Sequence, residues 1–156
     1  MGIIIMEYQE LKKQKKELLR DIIYNNFSDL NDEPKLNHTP EAILKTLNSK
    51  NSVLLLFIEN KKIGAYLLGE IMNLEDGRKV MFISYIFVAK DLRASGVGTQ
   101  LLQIISKIAT DKYCDGVMLI YDTTQKKLRR FYDRNGFMLD FQLRRFEKHD
   151  VFYKLV

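Results

Sequence analysis

The chain has 156 residues, 46% of them apolar, and a formal net charge of +5; that length suits one domain over 1–156 whose core needs no disulfide or metal staple, and the composition is that of a globular protein rather than a disordered one. A single cysteine, Cys114, leaves no internal disulfide and points to a reducing, cytoplasmic setting, and with only two histidines, His38 and His149, there is no zinc spacing, so no metal is expected. The charge is concentrated: eight basic and three acidic residues stand between Lys126 and Lys148, a balance that suits a polyphosphate ligand or nucleic acid, and equally a solvated helix face.

The opening segment 1–6 is apolar, but it is short and has no basic leader. It reads as an edge strand rather than a signal peptide or a membrane span, and Met6 breaks the myristoylation pattern that Gly2 begins. Around the lysine run at 12–16, Leu11, Leu18, Leu19, Ile22 and Ile23 predict an amphipathic helix. Segment 25–37 is polar and reads as a loop. Thr39-Pro40 then predicts an N-cap with proline in the first helical turn, and Ile43, Leu44 and Leu47 give that helix its buried side.

The period changes next. Strands are expected over 53–58, 63–71 and 80–89, with turns at Asn60-Lys61-Lys62 and Asp76-Gly77, forming an antiparallel meander. After Gly98 the spacing of Leu101, Leu102, Ile105, Ile108 and Ala109 predicts a core-facing helix. Val117-Met118-Leu119-Ile120-Tyr121 lacks polar alternation, as expected of a strand covered on both faces, so strand, helix and strand here predict a parallel crossover. A shorter helix carries Leu128, Phe131 and Tyr132 and ends at Asn135-Gly136. A strand over 137–146, a turn at His149-Asp150 and a strand over 151–155 close the chain.

Two segments carry chemistry. Arg93-Ala94-Ser95-Gly96-Val97-Gly98-Thr99 lies between a buried strand and a helix. The first amides of a helix lack internal partners, and glycines let a ligand approach them, which makes an anion site suited to a pyrophosphate. Gly98-Thr99-Gln100 does not end as a nucleotide-hydrolysing P-loop ends, and Leu101 stands where a dinucleotide fingerprint needs its third glycine. The second segment is Leu128-Arg129-Arg130-Phe131-Tyr132-Asp133-Arg134-Asn135-Gly136-Phe137.

In this order the two segments resemble the GNAT N-acetyltransferase superfamily, specifically over 80–137. The resemblance implies a mixed α/β fold. Its central sheet would be mostly antiparallel, with a parallel, splayed strand pair and flanking helices. It implies acetyl-CoA as co-substrate and an amine as acceptor. Arg93, Ala94, Ser95, Gly96, Val97, Gly98 and Thr99 would hold the pyrophosphate; Ile86, Phe87 and Val88 would run beside the pantetheine arm. The Val88 amide would polarise the thioester, and Tyr132 would act as general acid. Lys126 and Arg129 stand where relatives carry Asn and Ala, and their cations are candidates for coenzyme phosphate. Where relatives place a glutamate as general base, this chain has Phe82. That leaves Tyr85, Glu70, Ser84 with a water chain, or no side chain at all to receive the proton of the attacking ammonium. A homodimer is common among relatives.

The loop between the first two helices, with Asp29, Asp32 and Glu33, would border the acceptor and draw in a cationic amine, or simply be solvated. Cys114 reads as a bystander thiol. Two other readings compete: a catalytically idle coenzyme A-binding module, and a nucleic-acid domain using the basic stretch. No RNA-binding or helix-turn-helix pattern supports the second.

Overall fold

A computed structural model describes residues 2–7, 10–32, 36–122, 124–140 and 149–156. Along them run β1 (Gly2–Glu7), α1 (Lys13–Asn26), a 3-10 turn (Ser28–Asp32), α2 (Pro40–Asn48), β2 (Ser52–Glu59), β3 (Lys62–Asn73) and β4 (Lys79–Val88). A second 3-10 turn (Lys90–Leu92) leads to α3 (Val97–Asp111), β5 (Gly116–Asp122), α4 (Lys126–Arg134), β6 (Met138–Leu139) and β7 (His149–Leu155). The described strands make one seven-stranded sheet in the order β1-β2-β3-β4-β5-β7-β6. Every neighbouring pair is antiparallel except β4–β5, which is parallel.

The near-continuous apolar runs of β2 and β3 follow from burial on both faces. Side chains alternate across a strand. Val53, Leu55, Ala65 and Leu67 face one way and pack with Leu101, Leu102 and Ile105 of α3; Leu54, Leu56, Tyr66 and Leu68 face the other and pack with Leu19 and Ile23 of α1 and Ile43 and Leu47 of α2. Asn60 and Lys61, at φ 52° and 64°, make the left-handed two-residue turn that joins β2 to β3 with the twist a hairpin needs.

Local chemistry sets the helix ends. At α2 the Thr39 hydroxyl oxygen accepts the Ala42 N–H at 3.1 Å, with Pro40 opening the first turn. At the end of α4, Phe137 N–H donates to Tyr132 O at 3.0 Å and Gly136 N–H to Asp133 O at 3.1 Å. Gly136 lies at φ 88°. This is the paired closure that a left-handed glycine permits.

Three expectations change in extent. Residues 25–37 are not wholly loop: α1 continues to Asn26 and a 3-10 turn follows, because Phe27 turns inward against Tyr85 and Phe87. The strand expected over 137–146 is described only as Met138–Leu139, and its part at 141–146, with Arg144 and Arg145, lies outside the described residues, as do Glu33 and Lys148. His149 and Asp150 belong to β7 rather than to a turn, since they pair with Asp122 and Tyr121 of β5.

Candidate active site

The site begins where two strands part. β4 and β5 pair only from Val80↔Gly116 to Ile83↔Leu119, although β4 runs on to Val88 and β5 to Asp122. At the parting point β4 carries one extra residue: Leu68 pairs with Tyr85 and Gly69 with Ile83, which leaves Ser84 unmatched. Such a bulge bends the strand and moves the side chains after it to the opposite faces. Met81 and Ile83 point to the α3 face, but beyond the bulge it is Ile86 and Val88 that do so, while Tyr85 and Phe87 turn to the α1–α2 face.

The parting leaves main-chain groups facing the gap. Ala89 N–H donates to Gly64 O at 2.8 Å, which makes Ala65–Val88 a non-hydrogen-bonded pair of the antiparallel ladder. The N–H and C=O of Val88 therefore point away from β3. By the same alternation so do those of Ile86, opposite Leu67. Arg93 Nε takes the Val88 carbonyl at 3.0 Å, and the Val88 N–H is left facing the opening.

The glycine-rich turn follows directly. Ala94 at φ 67° and Gly96 at φ 90° both adopt left-handed backbone, a conformation that costs a non-glycine residue energy and recurs at ligand-cradling turns. The Ser95 hydroxyl folds back onto Leu92 O. Gly96 caps α3 without any side-chain bond. The first intrahelical bond is Gln100 N–H to Gly96 O at 3.0 Å, so the amides of Val97, Gly98 and Thr99 precede the ladder and present an uncapped positive helix end. A Cβ built on Gly96 meets nothing within 4 Å, whereas one on Gly98 would lie 3.0 Å from Phe131 Cζ and 3.6 Å from Val88 Cγ2. Gly98 is thus the point where β4, α3 and α4 meet, and its lack of a side chain lets Phe131 close against the turn.

α4 brings Tyr132 to the same opening. Its ring packs among Tyr121, Phe131, Phe137 and Phe152, with centroids 5.3–6.2 Å away. Tyr132 is only 4% exposed, and burial alone raises its pKa far above the ordinary phenol value. The hydroxyl is therefore held as a protonated donor at any physiological pH. Tyr132 lines a cleft of about 430 Å³ together with Phe82, Ser84, Tyr85, Ile86, Tyr121 and Leu128.

The far side of this cleft is made by Phe27, Asp29, Leu30, Leu36 and Asn37 from the α1–α2 connection and by Ala42, Ile43 and Thr46 of α2. Among the described residues lining it, Asp29 is the one charged group. Here lies a feature that the sequence reading missed. His38, 6% exposed, stacks on Tyr24 with centroids 5.1 Å apart and planes 13° apart. Its Nδ1 lies 2.6 Å from the Tyr85 hydroxyl and its Nε2 lies 3.1 Å from Tyr24 O. Tyr85 itself has its pKa pushed up to about 12 by burial. A lone histidine in a polar loop gives no sequence signal of this pairing, which spans 47 positions of chain.

The other sequence candidates separate cleanly. Glu70, opposite Phe82 on β3, is not among the cleft-lining residues. Lys126 and Arg129 are exposed on α4, Arg129 facing Asp133 at 3.8 Å, and neither lines the cleft. Phe87 packs beside Tyr66 and Phe27 rather than in the opening. Cys114 is buried at the α3–β5 turn, and that burial pushes its thiol pKa up, away from thiolate chemistry.

Residues 17–137 match the family model described as Acetyltransferase (GNAT) family. No curated protein matches the chain in sequence. Among solved structures, the chain is similar to the PaiA N-acetyltransferase of Thermoplasma acidophilum in complex with coenzyme A, at TM-score 0.72 and 14% identity over 100% of each chain. It is similar to Arabidopsis thaliana NAA60 in complex with a bisubstrate analogue, at TM-score 0.70 and 14% identity over 99% of each chain. It is also similar to an acetyltransferase of the GNAT family from Staphylococcus aureus Mu50, at TM-score 0.68 and 20% identity over 99% of each chain. At such identities the likeness is one of fold.

Proposed function

Because the chain belongs to the GNAT acetyltransferase family, whose model spans 17–137, we propose that it is an acetyl-CoA-dependent N-acetyltransferase. The acceptor is a primary amine of a small molecule, peptide or protein, and the acetyl group moves by direct attack in a ternary complex. One observation carries this reading: where β4 parts from β5 beyond Ile83, Ile86 and Tyr132 line one cleft, and β4 leads from there directly into the uncapped amides of α3. Residues 1–156 act as one catalytic unit, and the lone cysteine suits a cytoplasmic setting.

In this reading the coenzyme diphosphate lies on the amides of Gly96 to Thr99, where the helix dipole favours anions. Gly96 leaves that face open, so the residues present fit the group. The pantetheine arm follows Ile86 to Val88 as an added strand edge, and the exposed Lys126 and Arg129 are available to the coenzyme's phosphates. The Val88 N–H stabilises the thioester oxygen as it gains charge, an effect worth several kcal/mol in a dry site. The amine lone pair forms the N–C bond, the C–S pair departs with sulfur, and the Tyr132 phenol supplies a proton to the thiolate. Asp29 at the mouth attracts a cationic amine, and the apolar walls favour one with a hydrophobic substituent.

Thiol release from acetyl-CoA over a panel of amines and peptides tests the reading, with calorimetry of acetyl-CoA binding alongside. Turnover with at least one amine is expected. Tight coenzyme binding with silence across the panel would instead identify an idle coenzyme A-binding module.

A further inference from the structure

An attacking ammonium must lose a proton before its nitrogen can act, and the cleft-lining Phe82 cannot accept one. The cleft wall offers a different acceptor. The Tyr24 carbonyl has no hydrogen to give, so the 3.1 Å contact requires that His38 Nε2 carry the proton. In the neutral ring, Nδ1 is then an acceptor, and the Tyr85 hydroxyl at 2.6 Å donates to it. Stacking on Tyr24 and contact with Tyr85 hold the imidazole in that orientation. Tyr85 lines the cleft beside Ser84 and Ile86, at the point where β4 leaves β5. It faces this way only because the bulge at Ser84 turned it to the α1–α2 face.

The geometry points to a Tyr85–His38 relay as the general base of the amine acetylation. Tyr85 is the catalytic residue that touches the amine, and His38 is the positioning residue that stores the proton. The inference rests on the acetyl-transfer reading above. The proton balance closes without any further reagent. The ammonium gives one proton to Tyr85 Oη as the Tyr85 hydroxyl proton passes to His38 Nδ1, leaving a neutral amine and an imidazolium. The amine nitrogen then bonds to the thioester carbon. The nitrogen's remaining excess proton ends on the departing sulfur through Tyr132, and His38 returns its proton to solvent after release.

Among the described residues, the ionisable groups packed beside the pair are Tyr24 from α1 and Tyr66 from β3, whose hydroxyl accepts Asn26 Nδ2 at 3.0 Å, and Asp29 from the turn after α1 lines the same cleft. Among the described cleft-lining residues there is no lysine or arginine to oppose a cation on His38.

The test uses the whole protein and the fastest amine of a panel headed by phenethylamine, chosen for the apolar walls and Asp29. His38→Gln keeps one donor and one acceptor but has no basic nitrogen; Tyr85→Phe removes the hydroxyl. Both should lower kcat/KM by about a hundredfold, within the range a general base supplies, while acetyl-CoA affinity stays native. In His38→Gln the rate should keep climbing with pH until the free amine predominates, where the native profile has levelled. The matched hydrazine, a far weaker base than the amine and so much less protonated at neutral pH, should lose much less. Equal losses for amine and hydrazine, or a native pH profile in His38→Gln, overturn the relay alone. A native protein that binds acetyl-CoA yet turns over no amine overturns the acetyl-transfer reading and the relay with it. Should either variant fail to fold, nitrogen-15 NMR of the native protein decides. It has two histidines to resolve, and His38 must show protonated Nε2 and an accepting Nδ1; the opposite tautomer overturns the relay.

Discussion

The two ends of the cleft are built from different materials. The end proposed for the donor is main chain: the edge of β4 from Ile86 to Val88, the left-handed turn at Ala94 and Gly96, and the uncapped amides of α3. The end proposed for the acceptor is side chain: Phe27, Asp29, His38 and Tyr85, from an irregular connection, a helix-flanking turn and a bulged strand. A backbone cradle depends on local conformation and tolerates most side chains, so it suits the invariant part of a reaction. A wall of side chains depends on which residues the fold brings together, so it suits the part that varies with the acceptor. Tyr132, buried and lining the cleft, belongs in the proposed mechanism to the chemistry both share.

Substitutions should separate the ends. The largest effect is expected at the shared centre: Tyr132→Phe should lower kcat by about a hundredfold, the scale of a lost general acid, with acetyl-CoA affinity unchanged by calorimetry. Native turnover would remove this residue from the mechanism. Next is the donor end. Gly98→Val places a branched side chain where a single Cβ already meets Phe131 at 3.0 Å. Overpacking of this kind costs about 1–3 kcal/mol and should weaken acetyl-CoA binding roughly tenfold. Amine KM at saturating acetyl-CoA should hold, and a shift in amine KM instead would blur the division.

The acceptor end should show the reverse pattern. Asp29→Asn is expected to raise KM for a cationic amine a few-fold, as attraction between partly exposed charges allows. The increase should shrink at high salt, with acetyl-CoA affinity native. An equal effect on a neutral arylamine would deny Asp29 its electrostatic part. The smallest effect concerns stability. The Tyr85 pKa is pushed up to about 12 in the folded chain from an ordinary value near 10. Its stabilisation is therefore complete below about pH 10 and is lost as pH rises towards 12, because the unfolded phenol ionises first. Denaturant unfolding should show that alkaline decline, and Tyr85→Phe should make it shallower by the share of Tyr85 while the buried Tyr66 and Tyr132, also raised, keep theirs.

The same division explains what could be read from the sequence. The donor end was legible because its signals are local. Glycines at 96 and 98 sit where a strand hands over to a helix, and Gly136 closes the helix bearing Tyr132; each needs only neighbouring residues to have meaning. The parallel pair was legible from the unbroken apolar run at 117–121. The bulge at Ser84 was not, since one extra residue in an apolar strand leaves no mark on its pattern, yet it decides which face Tyr85 occupies. His38 was invisible as a partner of Tyr85 because only the packing of α1 against α2 and the sheet brings them together. Glu70 looked as eligible as Tyr85 in sequence; in the structure it stands opposite the cleft-lining Phe82 yet is not itself among the lining residues.

The central claim is that one opening receives both ends of acetyl-CoA, and a crystal structure of the protein with the coenzyme bound tests it most directly. The diphosphate should lie on the amides of Gly96 to Thr99, with the sulfur within hydrogen-bonding reach of the Tyr132 hydroxyl and the thioester oxygen against Val88 N–H. A coenzyme held instead on the exposed basic face of α4, with its sulfur remote from Tyr132, would contradict it.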